Sequence, residues 1–165
     1  MKLYHGSIVD IQRIDLNLSK PNKDFGRAFY LSSDYDQAME MAKFKAEFAE
    51  TEPVVNVYEF DESLLQQFHY KRFEDYTKAW ARFVYAHRTE PHGRTLHDFD
   101  IVYGPIANDT VGAQIARYRR GYISFDEFTK RLHYIKGITF QYAFCTQKAK
   151  AKIGRAVQQE CRDRY

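Results

Sequence analysis

Cysteine is nearly absent from this 165-residue chain, which holds only Cys145 and Cys161. The two match no paired metal spacing, and they read as free thiols in a reducing, cytoplasmic compartment rather than as a disulfide framework. No apolar run approaches the roughly 20 residues that span a bilayer. The opening MKLYHGS also lacks the basic-then-apolar layout of a signal peptide, so a membrane-spanning or secreted protein is disfavoured. No G-x-G-x-x-G follows a strand, and no G-x-x-x-x-G-K-S/T occurs, which removes the main support for a Rossmann dinucleotide domain or a P-loop nucleotidase. Internal repeats, low-complexity tracts and Gly/Ser linkers are missing too, so residues 1–165 are expected to form a single domain.

What the chain does have is apolar and aromatic surface to bury. Hydrophobic residues make up 44% of it, enough for a packed core. Aromatics reach 16%, with 13 Tyr against 13 Phe, more tyrosine than a core needs when each buried hydroxyl requires a partner. A net charge of +3 hides an asymmetry: residues 1–110 carry 13 basic and 18 acidic side chains, residues 111–165 carry 12 and 4. Arg117, Arg119, Arg120, Lys148, Lys150, Lys152, Arg155, Arg162 and Arg164 supply most of that basic end. It reads either as a face for nucleic acid or an acidic protein, or as ordinary solvated helix surface.

Periodicity and turn chemistry divide the chain into alternating short elements. Strands are expected over 2–5, 27–32, 53–60, 99–103 and 138–145. Ser33 or Asp34 caps a helix through Ala38, Met41, Ala42 and Ala46, and a long helical pattern runs over 62–88. Further helices are expected over 109–120, from Ser124 to about Tyr134 behind a Ser124/Glu127 capping box, and after Thr146. Residues 89–98, with Pro91 and Gly93, form a loop. Short strands between helices of uneven length argue for an α+β fold.

Several signals point nowhere. Asp24-Phe25-Gly26 copies the kinase tripeptide, but the other kinase motifs are missing. His87, His92 and His97 recur every fifth residue, on no common helical face, so a zinc site there rests on loop geometry alone. Three segments remain. His5 closes the first strand beside Gly6 and Ser7, where the glycine lets a ligand approach the backbone, unless His5 is simply structural. In Asp24-Phe25-Gly26-Arg27-Ala28-Phe29-Tyr30-Leu31-Ser32 a glycine turn feeds a strand in which Phe29 and Tyr30 face opposite ways. If Phe29 is core, Tyr30 is free to stack on a planar ligand. Gln141, between Phe140 and Tyr142, is an amide in an apolar strand, needing a partner if buried or lying on a wet face.

Together, Leu-Tyr-His-Gly-Ser, then Phe-Gly-x-x-Phe-Tyr-Leu-Ser, then a helix with Gln37-Ala38, resemble the ADP-ribosyltransferase superfamily. The likeness is closer to its His-Tyr-Glu branch, which includes the diphtheria-toxin and poly(ADP-ribose)-polymerase types, and within it to a family of small bacterial domains. Asp98 to Pro105, Asn108-Asp109 and Phe140 to Thr146 would be shared landmarks of that family. The resemblance implies two small packed β-sheets forming an NAD cleft with surrounding helices. It also implies NAD as co-substrate, no metal, and transfer of a single ADP-ribose to a macromolecular acceptor. A toxin-like effector held in check by a neutralising protein partner is one form such a domain takes.

Carried over by position, the resemblance has His5 bond the adenosine ribose, with Gly6 and Ser7 holding the nicotinamide amide and Tyr30 stacking on its ring. Met41 stands where a second stacking aromatic is expected, and Arg27 or Lys23 would meet the pyrophosphate. The third motif position, usually Glu, is Gln141 here. Nicotinamide leaves with its bonding electrons through an oxocarbenium-like state, which a carboxylate stabilises better than a neutral amide. Gln141 therefore also admits a second expectation, a domain that binds NAD, ADP-ribose or a macromolecule without turnover. Nucleic-acid binding through the basic end is a third, for which no module motif is present.

Overall fold

A computed structural model describes residues 1–156; Cys161, Arg162 and Arg164 lie outside the described residues. The strands are β1 (Lys2–Ser7), β2 (Phe29–Ser32), β3 (Val54–Glu59), β4 (Tyr70–Arg72), β5 (Ile101–Pro105), β6 (Phe140–Phe144) and β7 (Gly154–Arg155). The helices are α1 (Tyr35–Ala49), α2 (Lys78–Thr89), α3 (Asp109–Arg119), α4 (Phe125–His133) and the single turn α5 (Gln147–Lys150). Side-chain caps set the helix starts. Asp34 accepts from the Gln37 amide, Thr77 from Trp80, Asn108 from Val111, and Ser124 from Glu127. The fold class is α+β, as expected.

Two expectations need correction. The pattern over 62–88 is not one helix: a 3-10 helix (Glu62–Gln67) leads into β4, and only then does Thr77 open α2. The apolar positions on either side share a helical spacing, but β4 gains parallel pairing with β5, from Tyr70↔Ile101 to Arg72↔Tyr103, which no local pattern announces. The expected pair of sheets is instead one hydrogen-bonded sheet of seven strands, in the order β4-β5-β6-β2-β1-β3-β7. Its pairings are antiparallel except β4–β5. Two wings do exist within it, because β1 and β2 share only the pair Tyr4↔Ser32, whereas β1–β3 pair over six residues.

Strand alternation sorts the core into layers. Val102 and Ala143 face α2, α3 and α4, packing with Phe25, Trp80, Val84, Val111, Phe128 and Leu132. Their neighbours Ile101, Tyr142 and Phe144 face the other way, with Leu3, Leu31, Tyr58 and Phe60. Helix α1 packs Tyr35, Ala38, Met39 and Ala42 against Val55 and Tyr4. The fit of α1 on β1 needs Gly6: a Cβ there would lie 2.0 Å from the Ala38 carbonyl oxygen and 2.8 Å from the Ala42 nitrogen. No helix among the described residues is long and apolar enough to cross a membrane.

Candidate functional site

Where β1 and β2 part, a cavity of about 670 Å³ opens. Tyr4, His5 and Gly6 wall it from β1, Phe29–Ser32 from β2, Gln37, Ala38, Met41 and Lys45 from α1, and Gln141 from β6. Much of segment 9–20 closes its rim. Small-molecule clefts span a similar range, about 300–1,000 Å³. Of the residues expected at the site, His5, Gly6, Tyr30, Met41 and Gln141 line this cavity, and Ser7 and Arg27 do not. The Ser7 hydroxyl is buried and accepts from the Val9 amide at 3.4 Å. Arg27 donates to the Ser19 carbonyl at 2.6 Å, and Lys23 is the residue of that pair on the cavity wall.

His5 is held in one tautomer. Its Nδ1 donates to the Tyr30 carbonyl at 2.8 Å, and its ring stacks on Phe29 with centroids 4.4 Å apart. Burial lowers its pKa to about 4, so the imidazole is neutral at pH 7 with an unprotonated Nε2. No described residue bonds Nε2, and among the described residues no buried side-chain nitrogen or oxygen lacks a partner, so Nε2 opens to the cavity that His5 lines. It can accept a hydrogen bond from a hydroxyl.

Tyr30 differs from a free stacking platform. Its hydroxyl accepts from the Phe25 amide at 2.9 Å and donates to the Gly26 carbonyl at 2.6 Å. That pins the turn at Gly26, whose φ of 87° suits glycine and whose missing Cβ leaves room for Thr95 and His87. The same turn is tied from outside by His97, which donates to the Phe25 carbonyl, and by Asn22, which donates to the carbonyls of His87 and Glu90. His87 and His97 spend both ring nitrogens on backbone groups, which accounts for them structurally. Gly6, expected as a ligand contact, is required by α1, and its carbonyl accepts from Lys45 Nζ at 2.8 Å.

Gln141 is buried, and Nε2 reaches Asp24 Oδ2 at 3.4 Å. Asp24 is in turn gripped by Arg88, whose Nε and Nη2 both lie 2.7 Å from Oδ1. Sequence reasoning missed Asp24, Arg88 and Lys45. Asp24 and Arg88 are 64 residues apart and meet only because α2 packs beside the 22–27 turn. Lys45 is pushed below the usual lysine range by burial first, then by Lys23 and Lys20. Three ammonium groups therefore converge on one end of the cavity, a place for an anion. A second cavity of about 730 Å³ adjoins the first, sharing Lys23, Asp24 and Arg88 and adding Arg119 and Arg120.

No curated protein and no solved structure matches this chain. The family described as "Protein of unknown function (DUF3990)" matches residues 1–154, and the chain belongs to it.

Proposed function

We propose that this protein is an NAD-dependent mono-ADP-ribosyltransferase that cleaves the nicotinamide–ribose bond and passes ADP-ribose to a macromolecular acceptor. The observation that carries the reading is the juxtaposition in one cavity of a neutral His5 with open Nε2, Tyr30 and Gln141, beside a convergence of lysines. His5 Nε2 accepts from a ribose hydroxyl, and Lys20, Lys23 and Lys45 meet the pyrophosphate. Tyr30 and Met41 offer ring and thioether surface to the nicotinamide. Holding the dinucleotide in an aligned pose is the larger part of the catalytic task, since the departing nicotinamide needs no protonation.

The test is direct. Purified protein incubated with labelled NAD should release nicotinamide and transfer label to a lysate component; neither event after prolonged incubation sinks the proposal. The neutrality of Gln141 favours one other reading, binding without turnover. Stabilisation against heat by NAD or ADP-ribose with no nicotinamide released would select it.

A further inference from the structure

ADP-ribosyl transfer at this cavity calls for a group that can stabilise a cationic ribose. A ribose that gains positive charge is poorly served by a neutral amide, and Gln141 is the side chain at that place. The structure puts a carboxylate directly behind it. Asp24 is only 12% exposed, and both contacts from Arg88 fall on Oδ1. Among the described residues, Oδ2 is left with nothing but the long 3.4 Å contact from the Gln141 amide. It thus keeps lone pairs to spare on the side facing Gln141.

Asp24 also stands at the meeting of the two cavities and, among the described residues, is the only carboxylate on the wall of the second. A group there is reachable from the donor side, along Tyr30 and Gln141, and from an acceptor side, past Arg119 and Arg120. Its loop is rigidly placed: the Tyr30 hydroxyl, His97 and Asn22 fix residues 22–26 on three sides. Rigid placement on both the base and its supporting groups is what a catalytic carboxylate requires.

We infer that Asp24 is the catalytic carboxylate of this site, its Oδ2 facing the ribose and taking the proton of the incoming acceptor. This role rests on the ADP-ribosyl-transfer reading. In the step, the bond between ribose C1′ and the nicotinamide ring nitrogen breaks, and its electron pair goes to the ring, which leaves neutral. A lone pair of the acceptor hydroxyl, or of water, forms the new bond to C1′. The acceptor's proton passes to Oδ2 of Asp24 and then to solvent. Arg88 holds the carboxylate in place through Oδ1, and Gln141 orients Oδ2.

The test compares wild type with Asp24→Asn, which keeps an oxygen for Arg88, and Asp24→Ala with and without added formate. Nicotinamide release from NAD, with water as acceptor, gives kcat and KM; calorimetry gives NAD affinity. Asp24→Asn should lower kcat at least about 100-fold and shift NAD affinity less than about threefold, and formate should restore part of the Asp24→Ala rate. Three results overturn the role: kcat within about tenfold of wild type, a loss of affinity matching the loss of rate, or no rescue by formate. If Asp24→Asn does not fold, the formate arm and Asp24→Glu decide, the latter failing the proposal if it is as slow as Asp24→Ala. A wild-type protein that releases no nicotinamide refutes the transfer reading itself, and this role with it.

Discussion

Replacing Gly6 by alanine separates a ligand role for this glycine from a structural one. The added methyl would sit 2.0 Å from the Ala38 carbonyl oxygen, 2.8 Å from the Ala42 nitrogen and 3.1 Å from the Ala38 carbonyl carbon. All three are helix backbone, which does not yield as a side chain would, so α1 must lift from β1 by about 1 Å. A gap of that size forfeits about a quarter to a half of each dispersion contact along the interface. The interface includes Tyr35, Ala38, Met39, Ala42 and Val55, all buried. Overpacking costs typically about 1–3 kcal/mol, and rigid neighbours place this site at or above the upper end. At about 2–4 °C per kcal/mol for a domain of this size, Tm should fall by about 6–12 °C. Thermal melts and urea titrations measure this, with the urea midpoint moving and the slope unchanged. Gly112→Ala is the matching control. It lies inside α3, its Cβ would meet, among the described residues, only Arg88 Nη1 at 3.9 Å, and it should stabilise by about 0.5–1 kcal/mol. A Gly6→Ala protein melting within about 2 °C of wild type would refute the packing argument and return Gly6 to the ligand reading.

Other expectations concern the site. Because burial lowers the His5 pKa to about 4, the unfolded chain binds a proton between pH 6.5 and 4 that the folded chain refuses. The resulting stability is complete above pH 6.5 and is lost as pH falls through that window, by at most about 3 kcal/mol; His5→Asn should flatten this limb of the stability curve. Tyr30→Phe keeps the ring but strands the Phe25 amide, so it should cost about 1–3 kcal/mol and slow nicotinamide release by loosening the turn that bears Asp24. Unchanged melting would show that the hydroxyl pins nothing. Gln141→Glu would set a second carboxylate about 3.4 Å from Asp24, a repulsion of about 5 kcal/mol before Arg88 offsets part of it. The new carboxyl should hold its proton above the usual range, so the variant should lose stability relative to wild type as pH rises above about 4.3. A stability deficit that does not grow with pH would argue against the pairing.

Local chemistry was enough to read most of the secondary structure. Asp34, Ser124 and Thr146 each place a side-chain oxygen where a first helical turn has unpaired amides, whereas the Thr77 cap lay hidden inside the helical pattern over 62–88. The turn at Gly26 and the two-residue alternation of Phe29 and Tyr30 were likewise legible, since both depend on neighbours in the chain. β4 was not, because its stability comes from a strand about 30 residues away. Nor was the tyrosine excess fully interpretable: the Tyr30 hydroxyl is used to hold a turn, and those of Tyr58 and Tyr76 bond the carbonyls of Ile11 and Ile106.

By itself, then, the sequence determined an α+β chain with the starts of α1, α4 and α5 set by caps, and it singled out His5, Tyr30 and Gln141. It could not determine that these three share a cavity. Alternation alone would part them: the pairs Tyr4↔Ser32 and Ser32↔Gln141 put Tyr30 and Gln141 on one face of the sheet and His5 on the other. They reach the same space where β1 and β2 part, since those strands touch at the single pair Tyr4↔Ser32. Tertiary structure also decided the charge at the site. Asp24, Arg88, Gln141 and Lys45 come from four separate elements, and only packing brings a carboxylate to the amide and lysines to the cavity wall.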